Sequence, residues 1–295
     1  MTEADSASTG CEDEEENLTR KGFLLQLLAY PRAYVGLLMT VLFVICALFA
    51  PYLTAVDPIS QDMTNRLQPP GTPGSFLGTD EYGRDVLTRI VWGSRVSLRV
   101  GLGVSALTGI FGTLFGLIAG FYRRLDGVIM RIMDALMAFP AILLALAIVA
   151  ALGAHEINAV MALAIVYVPR TARIVRSSVL NVANRTFIEA AKSAGAGNWR
   201  LIVRHVLPNA AAPLIVQLTF VFAMAILGEA ALSFLGAGVP PPTPSWGNMM
   251  SEARVLMRQA PWLSLLPGAA VVTMVVGVNL FGDGLRDLLD PSIIS

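Results

Sequence analysis

Few residues in this chain have the type and spacing to do bond-breaking chemistry. Its two histidines, His155 and His205, lie far apart, and neither has a second ligand at metal-binding spacing. His155-Glu156 does not continue into an HExxH helix, and no Gly-Lys dipeptide exists to build a phosphate-cradling P-loop. No GxSxG elbow presents a serine nucleophile. The two cysteines, Cys11 in a polar tail and Cys46 in an apolar run, are not placed to pair. The chain is therefore expected to have no catalytic site and to bind no metal and no cofactor. Any energy it uses must come from a separate protein or an ion gradient.

What remains are polar groups in apolar surroundings. Glu229 follows a long uncharged run, where a carboxylate is costly unless it faces a cavity, a partner or the interface. It is a candidate for the translocation path or a gate, with a simple reach to the external interface as the alternative. Asn279, in another apolar run, is a second path candidate, although hydrogen bonding between helices is its default role. Asp134 is expected to pair with Arg131 or Arg170.

The densest local signal lies between residues 170 and 208. Thr186-Phe187-Ile188-Glu189 fits a capping box, with Thr186 as N-cap and Glu189 reaching back. A short helix should follow and end at Gly195 in a left-handed conformation. Asn198 is expected to cap a second short helix, and Pro208 to break or kink its junction with the next apolar segment. The product is a protruding knuckle whose Ala190 and Ala191 present little side chain. An ordinary interfacial helix would look the same.

The elements that must carry these groups are membrane spans. Of 295 residues, 55% are hydrophobic and 14% charged, and the mean hydropathy is +0.65. That composition indicates an all-α integral membrane protein. Net charge is zero, so no nucleic-acid partner is expected. Six spans are expected, at about 33–56, 100–122, 135–155, 157–175, 206–229 and 259–282. The fourth is long enough only if it runs on through Arg170 and Arg173 with their heads snorkelling to the interface. Most of the 21 Lys and Arg residues fall on one side if both termini are cytoplasmic. The external loop is then 57–99, and the cytoplasmic loop 176–208. Residues 1–24, rich in Asp and Glu, form an acidic tail expected to be disordered, ahead of a membrane domain over 25–295.

Gly112, Gly116 and Gly120 form overlapping GxxxG steps, which permit close helix approach within the chain or against a partner subunit. Residues 78–98 interleave Leu87, Ile90, Val91 and Val96 with Arg84, Arg89 and Arg95, the pattern of an interfacial amphipathic helix. It either braces the mouth of the protein or receives a partner protein.

Glu189-Ala190-Ala191, then Gly195, then Leu207-Pro208 resembles the EAA loop of bacterial ABC importer permeases. His205 stands where the general pattern has isoleucine. Leu77–Asp85 with Gly93–Leu98, Leu232–Gly236, Ser245-Trp246-Gly247, and Gly282–Asp287 with Asp290-Pro291 resemble the dipeptide/oligopeptide/nickel branch, of the DppC/OppC type. The resemblance spans about residues 25–295. It implies six spans of the type I ABC importer kind in a bacterial inner membrane. It also implies an ATPase-coupling role for Glu189, Ala190, Ala191, Gly195, Leu207 and Pro208. The partners implied are a paralogous permease, one or two ATP-binding subunits and an extracytoplasmic substrate-binding protein. Short peptides are the expected cargo, with nickel chelates, glutathione and haem as alternatives. An autonomous secondary transporter or channel would need a polar midplane site on broken helices, and an intramembrane enzyme would need paired catalytic groups within the spans. The apolar runs contain neither.

Overall fold

The computed structural model describes residues 30–183 and 185–289. The acidic tail 1–24, Cys11 and Asp290-Pro291 lie outside the described residues. Among those residues the chain is helical, with isolated bridges Thr72–Ser75 and Thr79–Asp85 in place of strands.

Helix α1 is Pro31–Leu48, with proline in the first turn, where its missing N–H costs nothing. A short helix α2, Ala50–Leu53, follows. Residues 54–85 form an irregular loop containing one 3-10 turn, Met63–Asn65. Helix α3 is Val86–Phe121, started by Asp85, whose side chain accepts the Thr88 N–H. It joins the expected amphipathic segment and the second span into one helix. Its 36 residues extend roughly 54 Å at 1.5 Å per residue, well beyond a bilayer core of about 30 Å.

Helices α4, Arg123–Met137, and α5, Ala141–Leu152, meet at a 90° bend. Pro140 causes the break: it lacks an N–H and steers Phe139 away from helical geometry. The expected third span, 135–155, straddles this break, so a straight helix there is corrected to a bent pair. Helix α6 is Glu156–Ala183, continuous through Pro169 and longer than the expected 157–175. Helix α9 is Leu207–Phe234 and helix α11 is Trp262–Leu289; between them lies helix α10, Trp246–Ala253. Helices α7 and α8 belong to the knuckle described below. Among the described residues five helices are long and apolar enough to cross a membrane, and the count is six with the bent pair taken as one span.

The bundle is built on α3 and α6, which form its most extensive helix–helix contact. The three glycines line that seam. A Cβ at Gly112 would stand 2.7 Å from Thr171 Cβ, at Gly116 2.6 Å from Val175 Cβ, and at Gly120 2.7 Å from Val179 Cβ. The GxxxG steps therefore serve packing inside this chain.

Two arginines of α6 are held by acids of α4. Arg176 makes a bidentate pair with Asp126, Nε–Oδ1 2.5 Å and Nη2–Oδ2 2.6 Å. Arg173 pairs with Asp134 at 2.5 Å. Asp134 thus bonds neither Arg131 nor Arg170, and the Arg173 head meets a carboxylate rather than only snorkelling. Helix α4 runs beside α6 because of the bend, and that brings the charges together.

Candidate functional site

Two ends of the bundle carry unusual polar structure. One bears the knuckle; the other bears loops 54–85 and 235–261.

At the knuckle, helix α7 is Thr186–Ser193 and helix α8 is Asn198–Leu201. Ile188 of α7 and Leu201 of α8 are fully buried against Val175, Val179 and Val206, so two apolar pins hold the knuckle to the bundle. The opposite face is exposed and carries Phe187, Glu189 and Ala190, with Ala191 half-buried. Gly195 has φ +83°, and the Ala196 N–H reaches back to Ala191 O at 3.0 Å, the six-to-one bond of a Schellman ending.

Three local details differ from expectation. The Glu189 N–H donates to Arg185 O, so Thr186 is already helical and the capping box does not form. Gly197, not Asn198, occupies the N-cap of α8, without a side-chain cap. Pro208 causes no break: it sits in the first turn of α9 after a π-turn, Ile202–Val206, in which the Leu207 N–H donates to Ile202 O. The wider turn accommodates the missing proline donor, and Asn209 Nδ2 donates to His205 O at 2.7 Å. Leu207 is half-buried and Pro208 exposed at the base of the knuckle. Beside them is a recess of about 450 Å³, floored by Ala191, Ala194 and Ala196 and rimmed by Arg200, Arg204 and His205. Trp199 projects next to it, 78% exposed.

At the loop end, Arg84 and Arg89 are buried and share two carboxylates. Arg84 bonds Asp80 at 2.5 Å and Glu252 at 2.8 Å; Arg89 reaches Glu252 at 3.1 Å and Asp80 at 3.5 Å. This clasp ties loop 54–85 and the start of α3 to α10. Glu252 has no sequence neighbour that signals its role; only the fold supplies its partners. Trp246, fully buried, donates its indole N–H to Ile90 O at 3.0 Å, and Gly93 leaves the room it needs. Two sequence signatures, Gly93-Ser94-Arg95 and Ser245-Trp246-Gly247, thus interlock. Exposed Asp62 in this loop is held below the usual carboxylate range by hydrogen bonds from Thr64 and then Asn65.

Glu229 does not reach an interface. It is 0% exposed in α9, and its Oε1 accepts the Ser233 hydroxyl at 2.7 Å. Ser233 Oγ in turn accepts the Val239 N–H at 3.2 Å, so the carboxyl group secures the proline-rich loop after α9. Asn279 is half-buried in the C-terminal half of α11, toward the opposite end. The structure therefore separates Glu229, near the loop end of α9, from Asn279 and from the knuckle residues.

Residues 112–295 match the profile of the family described as the binding-protein-dependent transport system inner membrane component. The chain belongs to that family. Residues 20–70 of this binding-protein-dependent transport component also match the N-terminal TM domain of oligopeptide transport permease C. The dipeptide transport system permease protein DppC of Alkalihalophilus pseudofirmus is 50% identical over 89% of this chain and 86% of its own length. A putative peptide transport system permease protein of Brucella suis biovar 1 is 49% identical over 88% of this chain and 87% of its own. In fold, the chain is similar to a chain of the inward-facing MetNI methionine ABC transporter, with TM-score 0.53 and 19% identity over 66% of this chain and 95% of that one. The molecule is thus a multi-pass ABC importer permease of a bacterial inner membrane, with five to six apolar spans in the type I importer fold. Its family works with ATP-binding subunits and a substrate-binding protein.

Proposed function

We propose that this chain is one of two paralogous permeases of a peptide importer, and that α7 is the segment through which ATPase subunits drive it. The observation that carries this reading is the form of the knuckle. Ile188 and Leu201 fasten it to the bundle, while Glu189 and Ala190 face away beside a small-residue recess with a basic rim. A push on the exposed face is then transmitted to α6 and α9 through packed side chains. Gly195 shapes the return, and Leu207 and Pro208 set the base from which α9 rises.

The knuckle end is cytoplasmic in this reading. Arg123, Arg124, Arg170, Arg200 and Arg204 are all exposed there, the distribution the positive-inside rule describes. Peptides enter from the loop end, delivered by an extracytoplasmic binding protein, and hydrolysis occurs on one or two partner ATPase chains. The names of the relatives support peptides as cargo. The delivering protein decides among peptides, glutathione, haem and nickel chelates. Asn279 is the remaining candidate for the path, and Glu229 acts as a latch of the external loop.

The test is reconstitution. Co-purification should recover a second permease and ATPase subunits, and uptake into liposomes should require ATP and the binding protein. Uptake by this chain alone would overturn the reading.

A further inference from the structure

Helix α4 carries more apolar surface than the bundle covers. Ile129, Met130 and Met133 pack with Phe115, Val168 and Ala172. A second stripe, Leu125, Val128 and Ile132 at i, i+3 and i+7, is 48%, 58% and 54% exposed. Arg124 and Arg131 stand at i and i+7 along its border. Both are exposed, as is Arg123, and none of the three makes an ion pair among the described residues. The acids of the helix are taken: Asp126 by Arg176 and Asp134 by Arg173. The charge left over on α4 is therefore positive.

The bend sets the level and direction of this helix. Helix α5 is joined to α6 by the short turn 153–155 and packs back against it, so it follows α6 across the bilayer. Helix α4 meets α5 at 90° and therefore lies across that direction. It is held where Arg173 and Arg176 leave α6. Arg176 is roughly 30 Å along α6 from Glu156 at 1.5 Å per residue, one thickness of a bilayer core. An amphipathic helix lying flat at that depth, with arginines along its apolar stripe, has the form of an interfacial helix.

We propose that α4 binds anionic phospholipid of the inner leaflet, with Arg124 and Arg131 on headgroup phosphates and acyl chains over Leu125, Val128 and Ile132. The choice of leaflet rests on the importer reading above, in which the knuckle end is cytoplasmic. A protein surface covering the stripe would have to desolvate the two guanidinium groups at its edge, which costs several kcal/mol per ion without a partner. At a headgroup they stay hydrated, and the guanidinium fork matches phosphate oxygens. The same helix holds Arg173 and Arg176 of α6, the helix to which the knuckle is pinned. Lipid bound on α4 thus steadies the element that receives the push from the knuckle.

The experiment places Val128→Trp in the complete transporter, reconstituted in liposomes of phosphatidylcholine and phosphatidylglycerol. Brominated chains on one lipid or the other quench the emission that the substitution adds over wild type. Brominated phosphatidylglycerol should quench it about twofold more than brominated phosphatidylcholine at equal mole fraction. Adding Arg124→Gln and Arg131→Gln should abolish that preference and leave quenching by phosphatidylcholine intact. If that combination does not assemble, Arg131→Gln with Val128→Trp should show a smaller preference than Val128→Trp alone. No quenching in the assembled transporter would mean that another subunit covers the stripe, and would overturn the proposal. So would equal quenching by the two lipids, or a preference that the arginine substitutions leave unchanged. Quenching needs no transport, so ATP-driven uptake by wild type in the same liposomes tests the importer reading separately.

Discussion

Arg84 and Glu252 stand 168 positions apart in the chain and meet at 2.8 Å. Glu252 also neutralises Arg89, whose side chain is 1% exposed. Removing that carboxylate leaves two buried guanidinium groups sharing Asp80. Glu252→Ala should cost about 3 kcal/mol, toward the lower end of values for broken buried pairs, because Glu252 itself is a quarter exposed. Thermal unfolding of the purified protein should show a clearly lowered midpoint; an unchanged midpoint would refute the role of the clasp.

The glycine seam makes a sharper steric prediction. Gly116→Val would place a branched side chain against Val175 and the α6 backbone, where a bare Cβ already comes within 2.6 Å. Overpacking of this kind costs about 1–3 kcal/mol and separates α3 from α6. Gly127, in the middle of α4, has no atom within 4 Å of an added Cβ. Gly127→Ala should therefore be neutral or stabilising by about 0.5–1 kcal/mol through helix propensity. Expression level and thermal midpoint in detergent should rank the two variants in that order.

Gly195 and Gly197 separate backbone strain from loss of space. Both sites are open to an added Cβ, but only Gly195 has positive φ, at +83°. Gly195→Ala should strain the turn by about 1–2 kcal/mol and tilt the knuckle, while Gly197→Ala should cost only the N-cap preference of Gly over Ala, without that tilt. In proteoliposomes, Gly195→Ala should lower peptide uptake per ATP hydrolysed with membrane insertion intact. Glu189→Trp, on the exposed face, should do the same without local strain. Normal coupling in both would count against α7 as the docking segment.

Glu229 is tested through what it holds. Glu229→Gln keeps an acceptor for Ser233, so the Ser233–Val239 link should survive. Glu229→Leu removes it and leaves a buried hydroxyl without its acceptor, at about 1–3 kcal/mol. Hydrogen exchange at the Val239 amide should rise in the leucine variant and stay near wild type in the glutamine variant. Equal protection in both would mean the loop is held by other contacts.

Much of this is legible in the amino-acid sequence. Uncharged runs exposed the spans, because a helix in lipid needs continuous apolar length. Gly195 marked the end of the knuckle helix, because few residues tolerate positive φ. Other local readings lost to competing chemistry. Thr186 and Asn198 had the right type for caps, yet the carbonyls of Arg185 and Gly197 accept the first helical bonds, from the Glu189 and Leu201 N–H groups, and so take those positions. Pro208 suggested a kink, and a π-turn absorbed it.

The sequence by itself determined class, family resemblance and the knuckle, since each depends on residue type over short spacing. Only the tertiary structure decided the pairings: Arg84 with Glu252, Arg176 with Asp126, Trp246 with Gly93, and the glycine seam with α6. Those contacts join residues distant along the chain, and no local pattern encodes which distant partner a buried charge will meet. The bend at Pro140 decides one of them, because it lays the acids of α4 along the arginines of α6.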